Sequence, residues 1–317
     1  MLCTQLEGNP RRLPGATALK VGALYRAACA DLALADSYQL PPNTVSFLHQ
    51  LVARAHNQLY RSRRVETRKW THELLYVVPR RLYQDWYLRL AFVLFWGLFI
   101  GSMLIARDST PFARGVLGEE ELDRMRDNFA SMVFGREARV NSGMFGFYVF
   151  HNAGIGLKCF AAGLLFGIGG LFTTVFNAIY LGTSFGYMSS LTGQDRRNFF
   201  EFVTAHGPFE LTAIVLSAAA GMRMGFALIS TDGLPRSESL YRAAREAFPT
   251  ACAGIFLFIG AAVIEGFISP SALPYWFKAA VAAVTSGMLL FYFLILGTTR
   301  DDSESMGTPA AEGVPHA

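Results

Sequence analysis

Three titratable side chains stand in or beside apolar stretches of the chain: His206, Glu210 and Glu265. Glu210 opens the apolar run 208–229, just after His206-Gly207, and Glu265 lies near the far end of the run 251–268. An acid placed at the centre of a bilayer costs roughly 2.5–3.5 kcal/mol on insertion scales, so such a group faces the protein interior or water and has a partner. His206 and Glu210 are four residues apart, which stacks them on one helical face. This pattern allows three chemistries. Glu210 can serve a helix start, because Gly207-Pro208 puts proline in the first turn and an acid there complements the helix dipole. Buried acids and histidines can also carry protons or cations. A metal site drawn from His151, His206, Glu210 and Glu265 would suit zinc. That last reading, an intramembrane metalloenzyme, is kept only as an outlier, since there is no HExxH and no evident general base. No catalytic residue, metal or cofactor is assigned.

The elements that position these groups are read from composition and pattern. Of 317 residues, 52% are hydrophobic and only 16% charged, against about 25% charged in a soluble domain. The pattern predicts an all-α, polytopic membrane helix bundle with about six spans and an N-terminal cytoplasmic helical hairpin. The spans are 88–106, 144–167, 171–191, 208–229, 249–268 and 275–296, each near the ~20 residues a helix needs to cross lipid. Gly167, Gly169 and Gly170 supply the break between the second and third. Five spans with one re-entrant segment is the alternative.

Residues 1–87 form a basic segment, with 12 Lys+Arg against 6 Asp+Glu. Helices over 14–40 and 43–64 meet at Pro41-Pro42, and Val45, Leu48, Val52, Ala55 and Leu59 make an apolar stripe on the second. Aromatic and basic residues mixed over 65–87 mark an elbow at the headgroups. An acidic, disordered tail covers 298–317. Basic bias with an even span count places both termini in the cytoplasm. Residues 119–134 read as an amphipathic helix on the opposite side. The scattered Cys3, Cys29, Cys159 and Cys252 argue against zinc-ligand or redox spacing. Nothing interleaves the bases as a nucleic-acid module would.

With about 1.5 Å rise per residue, depth counting brings His151, Asn152, His206, Glu210 and Glu265 to the outer half of the bundle. Asn177 is expected to hydrogen-bond across helices, and Lys158 and Arg223 to snorkel to cytoplasmic headgroups. Gly163, Gly167, Gly182, Gly186, Gly221 and Gly225 form GxxxG pairs, which serve close packing within the bundle or dimerisation.

The ordered landmarks Asn152, Asn177, His206-Gly-Pro-Phe-Glu210-Leu211 and Ile264-Glu-Gly-Phe-Ile-Ser-Pro270 resemble those of the stage II sporulation protein M family. The resemblance covers about residues 87–296, with Asn177-Ala178 departing from the Asn-Gly of the family. It implies a multi-pass bacterial inner-membrane protein without established catalysis. The expected function is a non-enzymatic membrane scaffold that organises envelope-remodelling or ATPase-linked partners; the resemblance implies RDD-type membrane proteins, MoxR-type ATPases or peptidoglycan-remodelling enzymes as candidates. Other partners are the lipid bilayer and, with the GxxxG pairs, a second copy in a homo-oligomer. The alternative function is a transporter or channel component lined by the outer polar residues.

Overall fold

The computed structural model describes residues 15–59, 71–131 and 138–299. Among them are twelve α-helices and no strands. The chain divides into two compact units, 1–70 and 71–317.

The first unit is a helical hairpin of α1 (Gly15–Ser37) and α2 (Pro42–Leu59). Gln39 takes a left-handed conformation at the turn (φ 50°). Val21, Ala35 and Ala55 are buried, and Tyr25 Oη lies 2.9 Å from His56 Nδ1. Residues 60–64 of the expected second helix lie outside the described residues, as do the tail from 300 onward and Cys3.

The second unit begins with a π-helical turn, Glu73–Val77, and α3 (Val78–Gln84). This segment belongs to the bundle: Tyr292 Oη donates to the Leu74 carbonyl at 2.8 Å. The long helices are α4 (Trp86–Asp108), α7 (Ala138–Gly163), α8 (Ile168–Ser190), α10 (Gly207–Phe226), α11 (Arg236–Val263) and α12 (Tyr275–Leu290). Among the described residues, five helical segments are long and apolar enough to cross a membrane: 86–108, 168–190, 207–226, 236–268 and 275–296. The first and last sit on α4 and α12, the latter extended by a π-helical stretch, Phe291–Leu296. α7 is 26 residues long but is not among the five, for it carries His151, Asn152 and Lys158.

α10 is the central helix. Its residues 213–221 read Ala-Ile-Val-Leu-Ser-Ala-Ala-Ala-Gly, apolar or small all round, which is the signature of a helix buried on every side. In its apolar window 72% of residues are buried, against 6% for 275–296. α4 and α8 pair through complementary stripes. Leu88, Ala91, Phe95, Phe99, Ser102 and Ala106 form the buried face of α4. Thr174, Ala178, Gly182 and Gly186, each four apart, form that of α8. Both GxxxG glycines of α8 lie against α4 backbone, at Phe99 and Met103, so this motif packs within the chain.

The α7–α8 break falls at residues 164–167. Phe166 (φ 53°) and Gly167 (φ 76°) reverse the chain there, a conformation glycine adopts at no steric cost. α11 starts at Arg236, much earlier than the predicted 249, and runs through Pro249. Proline is read as a helix breaker in water, but neighbouring helices make it tolerable in a membrane bundle.

One end of the bundle carries a cap of short helices: α5 (Thr110–Leu117), α6 (Glu119–Ala130) and α9 (Gln194–Val203). The single helix expected over 119–134 ends at Ala130, and α5 precedes it across Gly118 (φ 82°). Leu122 and Met125 join Ala106, Ala113, Tyr187, Met188 and Phe199 in a separate apolar cluster. Asn198, 3% exposed, ties α9 to α6 by donating to the Phe129 carbonyl at 2.7 Å. Asn198→Ala is expected to cost about 1 kcal/mol, since it removes the hydrogen bond to the part-buried Phe129 carbonyl. Faster hydrogen exchange in α6 and α9, with α4 unchanged, is the expected readout. Uniform exchange across the protein would contradict it.

Candidate functional site

The polar cluster lies at the capped end, where α10 begins and α11 ends. His206 takes the N-cap position of α10 and Pro208 its first turn. Glu210 N–H donates to the His206 carbonyl at 3.1 Å. The i, i+4 spacing brings His206 Nε2 to 3.5 Å from Glu210 Oε2. Phe202 packs edge-on against the imidazole, at 5.6 Å between ring centroids.

Glu265 arrives on different geometry. α11 widens into a π-helical turn over Ile264–Ile268, closed by Ser269 N–H donating to the Ile264 carbonyl at 2.8 Å. The extra residue in such a turn re-aims the side chains after it, and π-turns of this kind recur at functional sites. Here it buries Glu265 against α7, where Asn152 Nδ2 donates to Glu265 Oε2 at 3.1 Å. Asn152 is 1% exposed, and its other amide atom, Oδ1, has no hydrogen-bond partner. Ligand-type atoms of His206, Glu210 and Glu265 all lie within 4.8 Å of one another.

Ser269 and Lys278 enter the site only through the structure. Ser269 Oγ lies 2.9 Å from His206 Nδ1, and Lys278 Nζ donates to the Ser269 carbonyl at 2.8 Å. Both residues are fully buried. The available signal for Lys278 was a cation three residues into an otherwise apolar run. Burial pushes the His206 imidazole down to about 4, so it is neutral at pH 7.

His151 does not join this cluster. It is exposed and stacks on Phe147 at 5.7 Å. One residue turns a helix by about 100°, so adjacent His151 and Asn152 cannot share an inward face. Asn177 directs its shorter bond to the Thr173 carbonyl of its own helix (2.8 Å) and reaches α7 only at Cys159 Sγ (3.5 Å).

Lys158 is exposed, but Arg223 does not snorkel. At the opposite end of α10 it pairs with Asp85 through Nη2–Oδ1 (2.9 Å) and Nε–Oδ2 (3.3 Å). It also bonds Glu246 at 2.7 Å and lies over the Tyr87 ring. The Gly163 pair with Gly221 and Gly225 joins α7 to α10: a methyl group on Gly163 would come within 2.6 Å of Gly221 Cα. This second set of glycines also packs within the chain.

Chemically, the capped-end cluster can hold a proton between carboxylates or hold a cation between carboxylates and imidazole. A model of the family described as Stage II sporulation protein M matches residues 90–270, more than half of the chain. The chain belongs to that family. The match takes in Asn152, His206, Glu210 and Glu265 and stops short of α12 and Lys278. A second model, a domain of unknown function (DUF8413), matches residues 2–61, which contain the α1–α2 hairpin. No curated protein and no solved structure matches the chain. This member of the Stage II sporulation protein M family is therefore a multi-pass membrane protein with a separate N-terminal helical unit.

Proposed function

We propose that the protein is a non-enzymatic scaffold of the bacterial inner membrane, organising envelope-remodelling or ATPase-linked partners through its N-terminal unit on the cytoplasmic side. The observation that carries this reading is the surface of the hairpin. Leu34, Tyr38 and Phe47 are 53%, 76% and 64% exposed, all within or near the turn between α1 and α2. Apolar side chains left in water at one end of a small helical unit mark an interaction surface. The interlocked bundle supports the same reading, since glycine-mediated contacts between α4 and α8 and between α7 and α10 hold the helices at backbone distance.

The convergence of His206, Glu210 and Glu265 favours a second reading, a transporter or channel component. Reconstituted liposomes separate the two. The scaffold reading expects proton and cation flux no greater than in protein-free vesicles. It also expects cellular function to be lost when Leu34, Tyr38 and Phe47 are replaced by serine and kept when Glu210 is replaced by glutamine. Flux that Glu210→Gln abolishes would overturn the scaffold reading in favour of transport.

A further inference from the structure

We propose that His206, Glu210 and Glu265 form a binding site for one divalent first-row transition-metal ion, zinc being the type case. Three features of the cluster point to an ion. The donor set is one imidazole nitrogen and two carboxylates, the hard and borderline ligands that such ions take. Two carboxylates and a divalent cation are together neutral, which is the arrangement a buried, low-dielectric site favours. The spacing also fits. Two ligands on one tetrahedral zinc with bonds near 2.0–2.1 Å stand roughly 3.3 Å apart, and His206 Nε2 and Glu210 Oε2 already stand 3.5 Å apart. Glu265 offers a carboxylate oxygen within 4.8 Å of both.

The surroundings are built as a ligand shell. His206 Nδ1 faces Ser269 Oγ at 2.9 Å. The tautomer that donates Nδ1–H to Ser269 leaves the Nε2 lone pair directed at the carboxylates. Lys278 holds the Ser269 carbonyl at 2.8 Å, so the orienting serine is itself fixed. Metal-binding histidines carry this kind of outer partner on the nitrogen that does not bind. Independently of the donor triad, Asn152 places its amide against Glu265 with Oδ1 unpartnered while 1% exposed. Buried polar atoms are rarely left so. An acceptor there suits a water completing the four-coordinate shell. The site ties α10 to the end of α11, with Asn152 of α7 in its outer shell, and stands whether or not the scaffold reading does.

The test uses tag-free, full-length protein in detergent, stripped with chelator and titrated with Zn²⁺, Mn²⁺ and Co²⁺. One ion is expected per chain. His206→Gln, Glu210→Gln and Glu265→Gln should each weaken binding more than about 100-fold, and Ser269→Ala by about 10–100-fold. His151→Ala should leave binding unchanged. Should the ligand variants not fold, the wild type decides: a visible Co²⁺ band that Zn²⁺ abolishes is expected. Absence of stoichiometric binding by the wild type for all three ions overturns the proposal. So does binding that His206→Gln and Glu265→Gln leave intact.

Discussion

Asp85→Ala is expected to destabilise the membrane bundle by about 3 kcal/mol, the lower end of what breaking a buried ion pair costs. Asp85 does two jobs from a position 4% exposed. As N-cap of α4 it accepts from Tyr87 N–H at 2.9 Å and Leu88 N–H at 3.3 Å, and loss of such a cap costs about 1 kcal/mol. It also takes the Nε and Nη2 donors on one edge of the Arg223 guanidinium, so one carboxylate fixes the start of α4 against the last turn of α10. Removing it leaves a guanidinium whose side chain is only 19% exposed. Glu246 still pairs with Arg223, but at 47% exposure water screens that bond. The loss should therefore sit at the low end of the range. Glu246→Gln serves as the comparator and should cost less than about 1 kcal/mol. Arg223→Met in the Asp85→Ala background should restore part of the loss, because it removes the stranded charge. Reversible unfolding in mixed micelles measures all four proteins. Equal costs for Asp85→Ala and Glu246→Gln would show that Asp85 does not anchor α4.

The difference between what the chain's pattern discloses and what it hides follows from helix geometry. Depth along a helix can be counted from the residues, because each adds about 1.5 Å. That count is enough to place Asn152, His206, Glu210 and Glu265 at one end of the bundle. Azimuth cannot be counted until the neighbours are known, and so His151 is indistinguishable from Asn152 beforehand. Apolar runs and the GxxxG spacing disclose the helical bundle. They do not disclose the π-turn at Ile264–Ile268, which depends on how the end of α11 meets α7. Pairings distant in sequence are hidden for the same reason. Asp85 and Arg223 are 138 residues apart, and nothing local to either names the other. Arg223 taken alone looks like a snorkelling cation at a span's end. Lys278 looks like an interruption of an apolar run until Ser269 is seen beside it.

Gly225→Val should cost about 3 kcal/mol, at or above the usual range for overpacking, because both neighbours of the added side chain are backbone. A Cβ at residue 225 would strike the Gly163 carbonyl and the Gly167 amide nitrogen, and would come 3.0 Å from Gly167 Cα. None of these atoms can rotate away, unlike the far end of a side chain. Relief must come from separating α7 from α10, which also opens the contacts of Gly163 with Gly221. Lipid supplies no hydrophobic force to draw the helices together again, so lost close packing is not replaced. Gly101→Ala, on α4, is the matched control: nothing lies within 4 Å of its added methyl group. Alanine is the better helix former by about 0.8–1 kcal/mol, so this change should be neutral or stabilising. The separation should also be felt near the middle of α7, where Asn152 meets Glu265. Gly225→Val should therefore speed hydrogen exchange around Asn152 as well as around Gly163, while Gly101→Ala speeds neither. Unfolding midpoints that move alike in the two variants would mean that the α7–α10 crossing does not depend on backbone contact at these glycines.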